Sequence, residues 1–339
     1  MSEILHFLLA TSMGPGSGEW FGRLVRTQTP EERRTDMLMV GDFGNSPDGE
    51  KGLIMAVAMR RIGLVGELTV VANLGDSRTR ARLAKGTLNA LGAHEIKVAA
   101  GSDGGRANET LHDYEIEACP YLAPDEELDA RGGHELALAA IRDSRDNGRK
   151  ITLVLFSALT DMAALLRDPR WDELAPDTVS HVVIMGGLIE AADGSLDLDR
   201  GATNNTYDPE SAELVYGSLI QDGGLGKGIQ LIVVTRHAAG AVRLPKRALD
   251  GSSHPTALRL TMAEHLSLQK LWTRVHRTQP QREAANDTLP IRCDPAWFRK
   301  RFLGDKAPKH LKATDDVWPH VSGARAPRPR PCPCRRRPL

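Results

Sequence analysis

Polar side chains follow four of the apolar runs in this sequence, at the points where buried strands would end. They are Asp42 with the loop that runs to residue 50, Asp76, the pair Phe156 and Ser157, and the segment 235–237. Ligands of open α/β sheets bind at the carboxyl ends of the strands, so these positions are the candidates for function. Acidic groups dominate the first two. An acidic cleft suits Mg²⁺ or Ca²⁺, or general acid/base work on a neutral substrate, and suits a nucleotide phosphate poorly.

The periodicity of the chain provides a scaffold for these positions. Short apolar runs predict strands at 37–43, 67–74, 95–100, 150–156, 181–187 and 228–235, and amphipathic segments predict helices at 50–63, 77–92, 134–148, 159–168 and 208–220. A polar insertion at 106–132 interrupts the alternation, and a long helix pattern follows at 256–278. The alternation predicts an α/β fold, with a doubly wound, mainly parallel sheet and helices on both faces.

Composition divides the chain into three segments. Residues 1–35 show no clear period and are interpreted as an N-terminal arm, and residues 36–320 carry the alternating pattern of the α/β domain. Residues 321–339 contain six Arg and five Pro with no acidic residue, a composition that cannot form a core and predicts a disordered tail.

Charge and composition exclude several classes of function. Lys and Arg number 44, as do Asp and Glu, and six of the Arg lie in the tail, so the rest of the chain carries a net charge of −6. A negative body does not favour nucleic acid as a partner. No apolar run approaches the roughly 20 residues of a membrane helix. The four Cys lack zinc-finger or disulfide spacing, which indicates a reducing, cytoplasmic location, and a homo-oligomer remains open.

An ordered series of motifs resembles the inosine/uridine-preferring nucleoside hydrolases. The family pattern is D-x-D-P-G-x-D-D at the first strand end, G-N after the second strand, G-P-L-T-N after a buried strand, I-M-G-G, E-x-N-x-x-x-D-P-E-A-A and a late H-D-P. The corresponding segments here are DFGNSPDGEKGLIMA, VVANLGDSRTRARLAKGTLNALG, ITLVLFSALTDMAAL, VVIMGG, NNTYDPESAELV and RCDPAWF. The strongest match is IMGG followed at a fitting distance by N-x-x-x-DPESA. The resemblance runs from about residue 37 to about residue 302.

The resemblance implies a bound Ca²⁺, which in this family holds the ribose diol and the attacking water. Asp42 matches the first Asp of the opening motif and Asp294 matches the Asp of H-D-P, so both are expected to be carboxylate ligands of the ion. Phe156 falls where a backbone carbonyl binds the ion, and its side-chain identity matters less there.

The resemblance also implies contacts to a nucleoside substrate. Asp48 matches the seventh position of the opening motif, which grips a ribose hydroxyl, and Asn204 matches the Asn of E-x-N, another ribose contact. Asp76 lies where the G-N motif has its Asn and is the third expected substrate contact.

Several positions depart from the family pattern. The water-activating Asp of the third position is Gly44, and the calcium-ligating Asp of the eighth position is Gly49. The Glu of E-x-N is Ala202, the His of H-D-P is Cys293, and the Asn of L-T-N is Asp161. Fewer charged ligands lower the affinity for Ca²⁺. Loss of a general base typically reduces the rate by roughly 10²–10⁴.

Three functions therefore remain open. The first is hydrolysis of the N-glycosidic bond of ribonucleosides with a bound Ca²⁺, weakened by the missing carboxylates, with Asp48 as the catalytic candidate because residue 44 is Gly. The second is a catalytically silent nucleoside- or ribose-binding protein of the same fold. A different metal-assisted hydrolase that uses the acidic cleft is a third reading.

Ordinary structural roles compete with these assignments. Asp42 and Asp48 could be loop or turn residues, Asp208 is expected to cap the helix that follows it, and Asp294 could cap a helix that begins at Pro295. His237 could protonate a leaving base, although a structural histidine is the simpler reading. The IMGG glycines are expected to serve backbone packing.

Overall fold

The computed structural model describes residues 34–44, 47–105, 122–191, 193–221, 228–235, 238, 265, 268–285, 289, 293–303 and 307–321. The chain divides into two compact units, residues 1–244 and 245–339. The described part begins just before the end of the predicted arm, and the Arg/Pro-rich tail beyond residue 321, most of the 106–132 insertion and His237 lie outside it.

The first unit is built on a six-stranded sheet whose strand pairs are all parallel. Its strands are β1 (Thr35–Gly41), β2 (Val65–Ala72), β3 (Lys97–Ala100), β4 (Ile151–Leu155), β5 (Val179–Gly186) and β8 (Gln230–Thr235), in the order β3-β2-β1-β4-β5-β8. This arrangement confirms the predicted doubly wound α/β fold. A separate antiparallel hairpin, β6 (Leu188–Glu190) and β7 (Leu196–Leu198), follows β5.

Helices connect the strands and cover the sheet. They are α1 (Pro47–Arg61), α2 (Ser77–Ala90), α3 (Gly132–Asp146), α4 (Thr160–Arg167), α5 (Pro169–Leu174), α6 (Thr203–Tyr207) and α7 (Pro209–Gln221). A short 3₁₀ turn, Asp125–Glu127, lies in the described part of the insertion. None of the helices described is long and apolar enough to cross a membrane.

The core explains why the strand segments read as continuous apolar runs. Leu38 of β1 is in register with Leu153 of β4, which is in register with Val182 of β5, and each of the three is 0 % exposed. Such runs are typical of parallel strands covered on both faces. The helices α3, α4, α5 and α7 contribute the facing apolar side chains, among them Ile141, Met162, Trp171 and Val215.

Two local features were not part of the sequence-based prediction. The helix predicted at 159–168 is confirmed as α4, which ends at Arg167, and a second helix, α5, begins at Pro169, where Asp168 caps it by accepting a hydrogen bond from the backbone N–H of Arg170 at 2.9 Å. Pro is favourable at the first helical position. The hairpin β6–β7 was not predicted, because its strands are only three residues long and largely exposed.

The second unit has its own small core. Residues 268–275 are helical, and α8 (Gln279–Ala284), α9 (Pro295–Phe298), a π turn at Arg299–Leu303 and a 3₁₀ turn at Trp318–His320 follow. Trp272, Val275, Phe298, Leu303 and Val317 form the buried cluster. The helix predicted at 256–278 lies partly outside the described residues.

Candidate functional site

The carboxyl ends of β1 and β4 define the candidate site. From β1 the chain proceeds to β2 and β3 on one side, and it returns to β4 on the other side of β1, so the strand order reverses between these two neighbours. Such a switch point is where open α/β sheets bind ligands. Asp42 follows β1 directly and is 7 % exposed, and Phe156 follows β4 directly. The structure thus places two of the expected metal-binding residues at the ends of adjacent strands.

An aromatic pair fills the space beside Asp42. The rings of Phe43 and Phe156 lie edge to face, with centroids 5.4 Å apart. The Phe156 ring lies directly over Gly41, where a Cβ would be 1.9 Å from Cε2. A Cβ at residue 49 would lie 3.2 Å from Phe43 Cδ1 and 3.5 Å from Phe156 Cε2. The position at which the family has a carboxylate therefore faces two apolar rings.

The first turn of α1 contains two acids, Asp48 of the opening motif and Glu50 just after the motif. Asp48 lies in the first turn and is exposed, whereas Glu50 is 0 % exposed. Gly44 adopts a φ of +97°, which a side chain at this position would strain. Residues 45 and 46 lie outside the described part of the chain. The loop that carries the base in the family thus turns through a glycine here.

Arg80 is a functional candidate that sequence reasoning missed. It lies in the first turn of α2 and is 1 % exposed. Its Nε donates to the carbonyl of Leu74 at 2.8 Å, and its Nη1 donates to the carbonyl of Phe43 at 3.1 Å. The guanidinium therefore joins the loop after β2 to the loop after β1. In the sequence, Arg80 stands between Arg78 and Arg82, so it looks like one of several surface cations.

Asn73 is the residue that directly follows β2, and it is fully buried. Its side-chain amide donates to the carbonyl of Ala158 at 3.0 Å and to Asp161 Oδ2 at 2.8 Å. Asp161 also accepts from the Ser102 backbone N–H at 2.8 Å and from the Ser102 hydroxyl at 2.7 Å. This network fixes the ends of β2 and β3 to the start of α4. Asp76, which was expected at the Asn of the G-N motif, lies further from the end of β2.

Asp76 caps α2. Its carboxylate accepts from the Thr79 backbone N–H at 3.0 Å and from the Thr79 hydroxyl at 2.7 Å, and its side chain is exposed. An N-cap of this type satisfies a helical N–H that would otherwise lack a partner. Its expected contact to a substrate remains a prediction.

The IMGG segment ends β5 in tight packing. A Cβ on Gly186 would lie 2.4 Å from the Tyr216 hydroxyl oxygen, and a Cβ on Gly187 would lie 2.8 Å from Ala202 Cβ. Asn204 donates to the carbonyl of Met185 at 2.8 Å and is half-buried. The packing role expected of the two glycines is confirmed. Asn204 is held at the carboxyl end of β5, and its ribose contact stays a prediction.

Two helix caps bear on the remaining expectations. Asp208 accepts from the Ser211 backbone N–H at 3.1 Å, which confirms its predicted capping role, and from the Thr160 hydroxyl at 2.6 Å. Burial by itself would raise the pKa of the Asp208 carboxyl, but these hydrogen bonds lower it below its usual value. In the second unit, Asp294 caps α9 by accepting from the Trp297 backbone N–H at 2.7 Å, and it is exposed.

The donors described in the first unit do not fit the calcium ion that the resemblance implies. Ca²⁺ takes six to eight oxygen ligands, usually with several carboxylates. Asp42 is buried at the switch point, but Asp48 is exposed, residue 44 has no side chain, and residue 49 is a glycine that faces two aromatic rings. Among the described residues, no group of three or more His, Cys, Asp or Glu side chains is arranged to hold a metal ion.

Comparison with known families identifies the class of protein. The sequence matches the model of the inosine-uridine preferring nucleoside hydrolases over residues 48–297, more than half of the chain, so the chain belongs to this family. The match begins within α1, and Asp42 lies before it. No curated protein sequence matches the chain.

Solved structures resemble the chain in fold. One is the type III effector protein XopQ complexed with adenosine diphosphate ribose, with 24 % identity, coverage of 91 % of this chain and 83 % of that chain, and a TM-score of 0.67. A second is the effector protein XOO4466, with 24 % identity, 91 % and 82 % coverage and a TM-score of 0.66. A third is the plant nucleoside hydrolase PpNRh1, with 19 % identity, 78 % and 77 % coverage and a TM-score of 0.50. These likenesses show a shared fold.

Proposed function

We propose that the protein binds the ribosyl part of a nucleoside or nucleoside derivative at the carboxyl ends of β1 and β4, and that it cleaves the N-glycosidic bond slowly or not at all. The observation that carries the proposal is the buried carboxylate of Asp42 at the switch point, next to a loop that has Gly44 in the place of the family's base. A carboxylate of this kind accepts hydrogen bonds from ribose hydroxyls.

The chemistry of bond cleavage explains the expected loss of rate. Breaking an N-ribosidic bond builds positive charge on the sugar, and a nearby carboxylate stabilises that charge. Attack also needs an activated water, and the described loop offers no carboxylate at residue 44. The loss of a general base reduces the rate by roughly 10²–10⁴. Asp42 can thus hold the sugar without completing the reaction.

Hydrolysis of ribonucleosides is the second candidate function. Family membership and the retained Asp42 favour it, with Asp48 as the exposed acid in the first turn of α1. Binding of Ca²⁺ is a separate prediction for this candidate, and the poor fit of the described donors weakens it. A cytoplasmic location and a homo-oligomeric state stay sequence-based predictions.

The test is a binding titration of the full chain with adenosine, inosine, uridine and ADP-ribose. ADP-ribose is included because it is present in the structure of the fold neighbour XopQ. Release of free base is followed by chromatography in the same samples. We expect binding of at least one ribosyl ligand with little base release. Folded protein that binds none of the four ligands would contradict the proposal, and rapid base release would favour the hydrolase.

A matched pair of variants isolates the role of Asp42. Asp36 lies at the opposite end of β1, is 2 % exposed, and accepts from the Ser144 hydroxyl at 2.8 Å and from Arg149 Nε at 3.0 Å. We expect Asp42→Asn to weaken ligand binding roughly 10- to 100-fold, because this factor corresponds to the free energy of one hydrogen bond to a charged group. Asp36→Asn should lower stability and leave the affinity of the folded protein unchanged.

A further inference from the structure

The positive charge at the candidate site comes from the protein itself. Arg80 is almost completely buried, and its guanidinium donates to the carbonyls of Phe43 and Leu74, which belong to the loops after β1 and β2. The arginine guanidinium is a planar cation that presents five N–H donors in a fixed fork. Arg80 is therefore a buried cation at the carboxyl end of the sheet, where Asp42 also lies.

The two loops held by Arg80 adopt conformations that need support. Leu74 has a φ of +76° and is fully buried, and Gly44 in the other loop has a φ of +97°. A large side chain in the left-handed region is strained and persists only where its surroundings fix it. The backbone N–H of Leu74 donates to the carbonyl of Ser102 at 3.1 Å, and Arg80 binds the Leu74 carbonyl. The guanidinium thus helps to fix the conformation of the loops after β1 and β2.

Two acids near these loops are buried. Asp42 is 7 % exposed and Glu50 is 0 % exposed. Burial of ionised carboxylates is costly unless positive charge or hydrogen bonds compensate it. In a calcium site the ion supplies this charge. Here residue 49 has no carboxylate and faces the rings of Phe43 and Phe156, and a guanidinium donates to the Phe43 carbonyl.

We propose that Arg80 supplies the positive charge that a divalent cation supplies in the family. The chain then folds and forms its ligand-binding site at the carboxyl ends of β1 and β4 without calcium. Folding without calcium does not depend on the proposed function, whereas ligand binding at this site rests on it.

The first test is calorimetric titration of CaCl₂ into the full chain after removal of metal with EDTA, together with thermal unfolding in EDTA and in millimolar CaCl₂. We expect no saturable binding at micromolar or lower Ca²⁺ concentration, the range that covers sensor and buffer sites, and the same Tm in both solutions. Saturable micromolar binding of one Ca²⁺ that is lost in Asp42→Asn would overturn the proposal. Neither outcome depends on whether a nucleoside binds.

The second test separates charge from packing at residue 80. Arg80→Lys keeps the charge and loses the planar fork, whereas Arg80→Met keeps similar bulk and loses the charge. Arg78→Met is the control, because the Arg78 side chain is 67 % exposed and lies two residues away. We expect the urea midpoint to fall most for Arg80→Met, less for Arg80→Lys and little for Arg78→Met. Equal midpoints for Arg80→Met and Arg80→Lys would contradict a role for the charge.

Discussion

Asp161 provides the sharpest test of which hydrogen bonds join α4 to the ends of β2 and β3 near the candidate site. Its carboxylate accepts three hydrogen bonds, from the Asn73 amide at 2.8 Å, from the Ser102 backbone N–H at 2.8 Å and from the Ser102 hydroxyl at 2.7 Å. These bonds join α4 to the ends of β2 and β3. The geometry assigns Asp161 to the scaffold, although it stands where the family has the Asn of L-T-N.

The expected cost of removing this carboxylate follows from the partners it leaves. In Asp161→Ala the Ser102 N–H loses its Asp161 acceptor, whereas the Asn73 amide keeps the Ala158 carbonyl at 3.0 Å. A hydrogen bond to a charged group is worth about 1.5–3 kcal/mol when buried, and Asp161 is only half-buried. We therefore expect a loss of about 2–3 kcal/mol. Asp161→Asn, which keeps one accepting oxygen, should lose about half of that.

The assay is urea unfolding followed by far-UV circular dichroism. With an m-value of about 2–3 kcal/mol/M, Asp161→Ala should lower the midpoint by about 1 M. Asp146→Ala is the control, since Asp146 is an exposed carboxylate at the end of α3 and its change should stay within about 0.5 kcal/mol. A midpoint for Asp161→Ala that equals that of the control would refute the scaffold role.

Three further predictions concern packing and pH. Gly186→Ala should destabilise the fold by about 1–3 kcal/mol through overpacking against Tyr216, whereas Gly217→Ala, which faces open space in α7, should stabilise it slightly; urea midpoints compare the two. Hydrogen bonds from Arg170 and His134 hold the pKa of Asp168 well below its usual value, so the stability of the fold should decrease as the pH drops below about 4. Urea midpoints measured at pH 7 and pH 3 should show a smaller decrease for Asp168→Asn than for the wild type. Burial raises the pKa of Tyr216 to about 12, so this tyrosine ionises at lower pH in the unfolded chain than in the folded chain, and stability should decrease between about pH 10 and 12. Urea midpoints at pH 9 and 11 should show a smaller decrease for Tyr216→Phe than for the wild type.

The fold was predictable because each strand is a continuous apolar run between turn residues. Strands covered on both faces need such runs, and the segments around Leu38, Leu153 and Val182 show them directly in the sequence. The boundaries were less accurate. The first strand ends at Gly41 and not at residue 43, so Asp42 and Phe43 belong to the loop. That shift of two residues places both side chains at the candidate site.

The site was only partly predictable, because its character depends on contacts between distant segments. The ring of Phe156 meets Gly41 and Phe43, which lie more than a hundred residues earlier in the chain. Burial of Arg80 depends on the carbonyls of two separate loops. Comparison with the family motif indicated that residues 44 and 49 are glycines where the family has carboxylates. It did not indicate which groups of the fold lie near these two positions.

The most direct measurement is a calorimetric titration of the full chain with ADP-ribose and adenosine in EDTA, carried out on the wild type, Asp42→Asn and Asp36→Asn. The predicted result is binding by the wild type without calcium, similar affinity in Asp36→Asn, and at least tenfold weaker binding in Asp42→Asn. Binding that appears only after addition of CaCl₂, or an affinity that Asp42→Asn leaves unchanged, would contradict a calcium-independent ribosyl site at the carboxyl end of β1.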